Sequence, residues 1–142
     1  MTEYSHGSHS LFLLHVHLVW ITKYRKKVLT GEVSLALREE LRKICKSETV
    51  EIIRGHVSSD HVHLVLSYPP KICLSKLVQR LKGASAHKLL MQFQGLQKQY
   101  LGRHLWARGY FCCSSGNITD EMIMKYIEDQ NHDDDDDSFE VN

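Results

Sequence analysis

With 142 residues, 42% hydrophobic and 25% charged, the chain has the size and composition of one globular domain, which excludes wholesale disorder, collagen-like sequence and a coiled-coil rod. Its longest apolar stretch, Leu11 to Ile21, is interrupted by His15 and His17 and is too short to span a bilayer. No secretory signal opens the sequence, so a cytoplasmic protein with no membrane segment is expected. The net charge of +1 hides an asymmetry: the first 132 residues hold all 18 Lys and Arg but only 11 of the 17 acidic side chains, and the rest lie between Asp133 and Glu140.

That division suggests a folded domain over residues 1–131 and an acidic, unstructured tail over 132–142, because a run of like charges repels itself and has nothing to bury. Cys45, Cys73, Cys112 and Cys113 form no C-x-x-C pair and are expected to be reduced, mostly buried thiols.

In chain order, residues 11–20 predict a strand buried on at least one face, with His15 and His17 on the same side through the period-two alternation of strands. A basic turn, Lys23 to Lys27, follows. Ser34 to Lys46 carries Leu35, Leu37, Leu41 and Ile44 at helical spacing, with Ser34 as the predicted N-cap. Val50 to Val57 predicts a strand, Ser58-Ser59-Asp60 a tight turn, and His61 to Tyr68 the returning strand, stopped by Pro69-Pro70. Leu74 to about Phe93 predicts a helix broken or bent near Gly83, followed by a basic connection. Trp106 to Cys113 predicts a fourth strand, residues 114–117 a loop, and Thr119 to Asn131 a last helix capped by Thr119. This order implies an α+β fold of ferredoxin-like or RRM-like type: an antiparallel sheet with the first and third strands at its centre, helices on one face, and an added C-terminal helix. The open face of such a sheet is a common platform for single-stranded nucleic acid.

Two H-x-H triplets, His15-Val16-His17 and His61-Val62-His63, each place two imidazoles on one side of a strand, where they can reach one ion. About 0.7 such triplets arise by chance at this histidine content, so spacing does not choose between them. On the last helix Tyr126 and Gln130 stand at i, i+4, a phenol and an amide on one face. A tyrosine is about one part in a thousand ionised at neutral pH, so it needs help to act as a nucleophile. A cation held by two imidazoles and an amide oxygen supplies that help at a phosphodiester, and such mixed ligation with phosphate oxygens suits Mg2+ or Mn2+.

The segments HLVWITKYRKKVL (17–29), GHVSSDHVHLVLS (55–67), LVQRLKGASAHKL (77–89), LWARGYF (105–111) and YIEDQ (126–130), in this order and spacing, resemble the single-tyrosine HUH transposases of small bacterial and archaeal insertion sequences. The resemblance spans about residues 11 to 131. It implies that His61 and His63 are the metal-binding pair, Tyr126 the nucleophile and Gln130 the third ligand, and it leaves His15 and His17 to packing or strand contacts. It further implies cleavage and rejoining of single-stranded DNA through a 5′-phosphotyrosine, hairpin ends of a mobile element as the partner, and a homodimer in which the tyrosine helix of one subunit completes the site of the other, with Gly116-Asn117 as hinge. Strand exchange conserves phosphodiester bonds and needs no nucleotide cofactor, in keeping with the lack of a G-x-x-x-x-G-K-[ST] motif.

Under this reading Lys23, Arg25, Lys26, Lys27, Arg80, Lys82, Lys88, Lys98, Arg103 and Arg108 are candidates to neutralise DNA phosphates, and Tyr24, Trp106 and Tyr110 to stack on extruded bases. The acidic tail would then compete with DNA for the basic body. Rival readings are a related HUH nickase such as a replication initiator or relaxase, a domesticated repeat-associated transposase, a non-catalytic single-strand binder, and a metal phosphohydrolase. The acidic tail and Cys112-Cys113 depart from the family pattern.

Overall fold

A computed structural model describes residues 13–100, 104–114 and 120–137, with the side chains of the last helix from 121 to 129. Four strands, β1 (Leu14–Ile21), β2 (Glu51–Val57), β3 (His61–Tyr68) and β4 (Phe111–Ser114), form one sheet in the order β2-β3-β1-β4, every neighbouring pair antiparallel. β1 and β3 are central, as the ferredoxin-like reading requires. Around them lie α1 (Gly31–Ser47), α2 (Leu74–Gln92), the short α3 (Gln94–Gln99) and α4 (Asp120–Asp137).

Alternation along β1 and β3 divides the molecule. Val16, Leu18 and Trp20 with Val62, Leu64 and Leu66 face α1 and α2, which contribute Leu37, Leu41, Ile44, Leu77, Val78, Leu81 and Leu89 to one continuous core. Trp20 meets Trp106 edge to face at a centroid distance of 5.7 Å, a favoured aromatic geometry. The opposite face carries a smaller cluster, Val19, Ile21, Ala107, Ile123 and Ile127, with Phe111 and Tyr126 packed against it. α4 therefore covers one end of the sheet face that α1 and α2 leave open.

Several local expectations are corrected. α1 starts at Gly31, three residues before the predicted Ser34 cap. Thr30 precedes it in extended conformation and Gly31 has φ +54°, which glycine adopts without steric cost. α2 runs unbroken through Gly83, where an added Cβ would meet nothing within 4 Å. The isolated glycine weakens that helix without ending it. The basic connection contains α3. β4 begins at Phe111, not Trp106: Trp106 makes only a single bridge to Thr22, and Gly109 at φ +75° turns the chain before pairing resumes. α4 continues to Asp137, past the expected end at Asn131 and into the acidic run; residues 138–142, the cap at Thr119 and the Gly116-Asn117 hinge lie outside the described residues. Of the four cysteines, all free thiols, only Cys45 is buried.

β2 is an edge strand with a bulge between Ile52 and Arg54, an irregularity that discourages pairing with another chain. After β1 the chain makes one 3-10 turn, Lys23–Arg25, in which Tyr24 (φ 60°) and Arg25 (φ 52°) are left-handed. Two consecutive non-glycine residues there cost about 1–3 kcal/mol each, so contacts elsewhere must hold the turn.

Candidate active site on the open face of the sheet

The register between β1 and β3 places the histidines. Val19 pairs with His63 and Ile21 with His61, and directly paired residues project to the same face. Val19 and Ile21 belong to the cluster that seats α4, so His61, His63, Ile123, Ile127 and Tyr126 share one face. The Tyr126 ring leans on Phe111 at 5.6 Å between centroids, and its hydroxyl oxygen is shielded from solvent. Gln130 follows one turn later on α4. The tyrosine and the histidine pair, 63 to 65 residues apart in sequence, are thus placed on one side of the sheet by a strand register and a small apolar contact.

Both imidazoles of the pair are held. His61 Nδ1 lies 2.9 Å from Asp60 Oδ1, and His63 Nε2 lies 3.1 Å from His17 Nδ1. The expectation for His17 is refined here: it is a buried strand residue, but its contact is with the other histidine pair. His15, two residues earlier, is exposed. Burial, then the Arg54 guanidinium, lowers the His17 pKa below the ordinary imidazole value. Burial, followed by His17, His61, Arg54 and His56, does the same at His63. Both shifts favour the neutral ring, the form in which an imidazole binds metals.

The donor set fits a divalent cation in one respect that the structure shows: two imidazoles from alternate positions of a central strand, each with one nitrogen already oriented by a partner. Among the described residues no three His, Cys, Asp or Glu side chains converge on one point. The cavities of about 420, 470 and 890 Å³ are lined by other residues than His61, His63 and Tyr126.

The candidate DNA contacts separate into groups. Lys23, Tyr24, Arg25 and Lys27 lie in and after the turn that follows β1. Lys23 sits over the exposed Tyr24 ring at 5.4 Å, whereas Arg25 reaches Asp60 Oδ2 at 3.4 Å. Lys26 bonds the Gln99 carbonyl at 2.7 Å and covers the Tyr100 ring. Arg80, on α2, pairs with Glu48 at the end of α1 and so belongs to the helix layer, away from the histidines. Lys82 donates to the Ala107 and Gly109 carbonyls at 2.8 and 2.7 Å, and burial lowers its pKa to about 8. Arg108 is exposed between those two carbonyls. Trp106 is not a stacking surface: it is buried, with Nε1 donating to Lys82 O and Ser85 Oγ, both at 3.1 Å. Tyr110 packs partly buried against the main core. Arg103 lies outside the described residues.

Sequence reasoning passed over Asp60, taken as a turn residue. Its position immediately before the H-x-H triplet was the available signal.

A histidine pair and a helix-borne tyrosine thus lie on the same side of an antiparallel sheet, and comparison with known proteins assigns the chain to a family. Residues 10–130 match the IS200-like transposases, and the chain belongs to that family. It is 38% identical over 128 residues to the ISDra2 transposase TnpA of Deinococcus radiodurans, covering 90% of this chain and 91% of that protein. It is 35% identical to the transposase of insertion sequence element IS200 from Salmonella typhimurium, covering 87% of this chain and 80% of that one. A crystal structure of a candidate transposase from Deinococcus radiodurans R1 superposes with a TM-score of 0.82 at 35% identity, over 89% of this chain and 97% of that chain. A REP-associated tyrosine transposase bound to a REP hairpin shares the fold, with a TM-score of 0.57 at 18% identity over 87% of this chain and 68% of that one. The protein is thus a transposase of the insertion-sequence type, an enzyme acting on DNA. Among the described residues no helix is long and apolar enough to cross a membrane.

Proposed function

We propose that the chain cleaves and rejoins single-stranded DNA at the ends of an insertion sequence, with Tyr126 as nucleophile and His61, His63 and Gln130 as the ligands of Mg2+ or Mn2+. One observation supports the reading: α4 rests on Val19 and Ile21, the strand partners of His63 and His61, so Tyr126 and the two histidines lie on the same side of the sheet.

In the first step the Tyr126 oxygen attacks phosphorus, the O3′ of the preceding nucleotide leaves, and a 5′-phosphotyrosine forms. A second 3′-hydroxyl then attacks that phosphorus and releases the tyrosine, so every bond broken is matched by one formed. The cation, when bound, polarises the phosphodiester and stabilises charge on the leaving oxygen. The chain's own residues do the rest. His61 and His63 would hold that cation, and Lys23 and Lys27 neutralise flanking phosphates beside Tyr24, whose exposed ring offers a stacking surface. Hairpin ends of the element are the DNA partner, as the hairpin in the REP-associated transposase suggests.

The working assembly is a homodimer. In the single chain α4 lies over its own sheet, and exchange would carry the same helix to the partner's sheet through residues 115–119. Mixing Tyr126→Phe subunits with His63→Ala subunits tests this: activity in the mixed dimer above the level expected for separate sites shows that the tyrosine serves its partner.

The central test incubates the protein with Mn2+ and single-stranded DNA carrying candidate ends, and looks for a denaturation-resistant adduct. The wild type gives one and Tyr126→Phe gives none. Binding without an adduct would make the chain a single-strand binder, and cleavage that survives the substitution would make it a hydrolase.

A further inference from the structure

The turn between β2 and β3 contains a carboxylate that the reaction does not touch. Asp60 is buried to 7% exposure. Its Oδ1 lies 2.9 Å from His61 Nδ1, and its Oδ2 lies 3.4 and 3.5 Å from Arg25 Nε and Nη2. Its backbone carbonyl accepts from Thr22 N at 2.9 Å and Thr22 Oγ1 at 3.3 Å. The residue is thus fixed from both ends by the segment that follows β1, and the left-handed Tyr24 and Arg25 are the backbone conformation that accompanies this placement of the guanidinium.

An ionised carboxylate only accepts hydrogen bonds. In the 2.9 Å contact the ring nitrogen is therefore the donor, which puts a His61 proton on Nδ1 and leaves Nε2 as the nitrogen available to a ligand. We propose that Asp60, tethered by Arg25, is a positioning residue of the metal site that holds His61 in the Nδ1–H tautomer and turns its Nε2 toward the cation. The proposal rests on the reading of His61 and His63 as ligands. It also takes Arg25 out of the set of DNA-contacting residues and gives it a partner inside the protein.

The test uses the full chain in two measurements. Long-range proton–nitrogen NMR correlation on the metal-free protein reads the His61 tautomer directly. The wild type shows Nδ1–H, and Asp60→Asn, whose amide can donate as well as accept, shifts the ring toward Nε2–H. Mn2+ titration followed by the paramagnetic resonance of the free ion reads affinity, which falls about 10–100-fold in Asp60→Asn, the usual consequence of losing an outer-sphere partner. A wild-type ring in the Nε2–H tautomer overturns the proposal. So does an Asp60→Asn protein that keeps wild-type affinity, or that loses affinity with the tautomer unchanged, since the latter marks a purely structural role. If Asp60→Asn does not fold, the wild-type tautomer decides. Failure of the underlying reading looks different: His61→Ala and His63→Ala would then bind Mn2+ as the wild type does, whatever the tautomer.

Discussion

The two faces of one sheet are made from the same strands and do opposite work. On the face toward α1 and α2, Val62, Leu64 and Leu66 join a core of more than twenty buried residues, whereas on the other face His61 and His63 stand beside a cluster of five, on which α4 rests. A one-residue step along β3 changes a scaffold position into a site position, because successive side chains point to opposite sides. The large core makes the strands rigid. The small one holds α4, which carries Tyr126, with little apolar area, so α4 is expected to detach before α1 and α2.

The contrast can be broken most sharply by paired substitutions in β3. His63→Ala abolishes adduct formation, a larger loss than the ~10–100-fold of an outer-sphere change, and leaves the unfolding midpoint nearly unmoved, measured by thermal melting of the metal-free protein. Leu66→Ala, from a fully buried position, costs about 2–5 kcal/mol in denaturant titration while the folded fraction keeps its activity.

The smaller cluster responds differently. Ile127→Ala, at 1% exposure, releases α4 before the rest of the molecule opens, so protease cleavage near residues 115–119 accelerates under native conditions while the main unfolding transition moves little. Simultaneous loss of both would show the two clusters to be one cooperative unit.

Acid separates the faces further. His17 and His63 have lowered pKa values in the folded state, so on acidification the unfolded chain takes up protons first. Their contribution is present above the unfolded value of about 6.5 and is lost as pH falls from there through the folded values. Melting temperature should decline below pH 6.5, and less steeply in His17→Gln. The smallest effect belongs to Gly83→Ala on the exposed side of α2, where the added methyl meets nothing: stability is expected to rise by up to about 1 kcal/mol.

Much of the scaffold was legible in the residues. Alternation in 11–20 and 61–68 predicted both central strands, the first of which the structure places at Leu14–Ile21, and helical spacing predicted α1 and α2. Misjudgements fell where local signals compete with packing. Gly83 is tolerated because Leu81, Ser85 and Leu89 bury on either side of it, and the aromatic run from Trp106 fails as a strand because Trp106 is drawn into the core and Gly109 reverses the backbone. Composition could not show that Arg80 and Lys82 are engaged by Glu48 and by two carbonyls, since charge pairing depends on neighbours distant in sequence.

The sequence by itself determined the element order, the central place of the two histidine-bearing strands, and which residue types are available for the proposed chemistry, because period and side-chain chemistry are local properties. Only the tertiary structure decided that His17 belongs with His63, that Asp60 and Arg25 stand behind His61, and that α4 lies on the histidine side of the sheet. Those are consequences of strand register and of which apolar stripe finds which, and register is settled by the whole chain closing on its core.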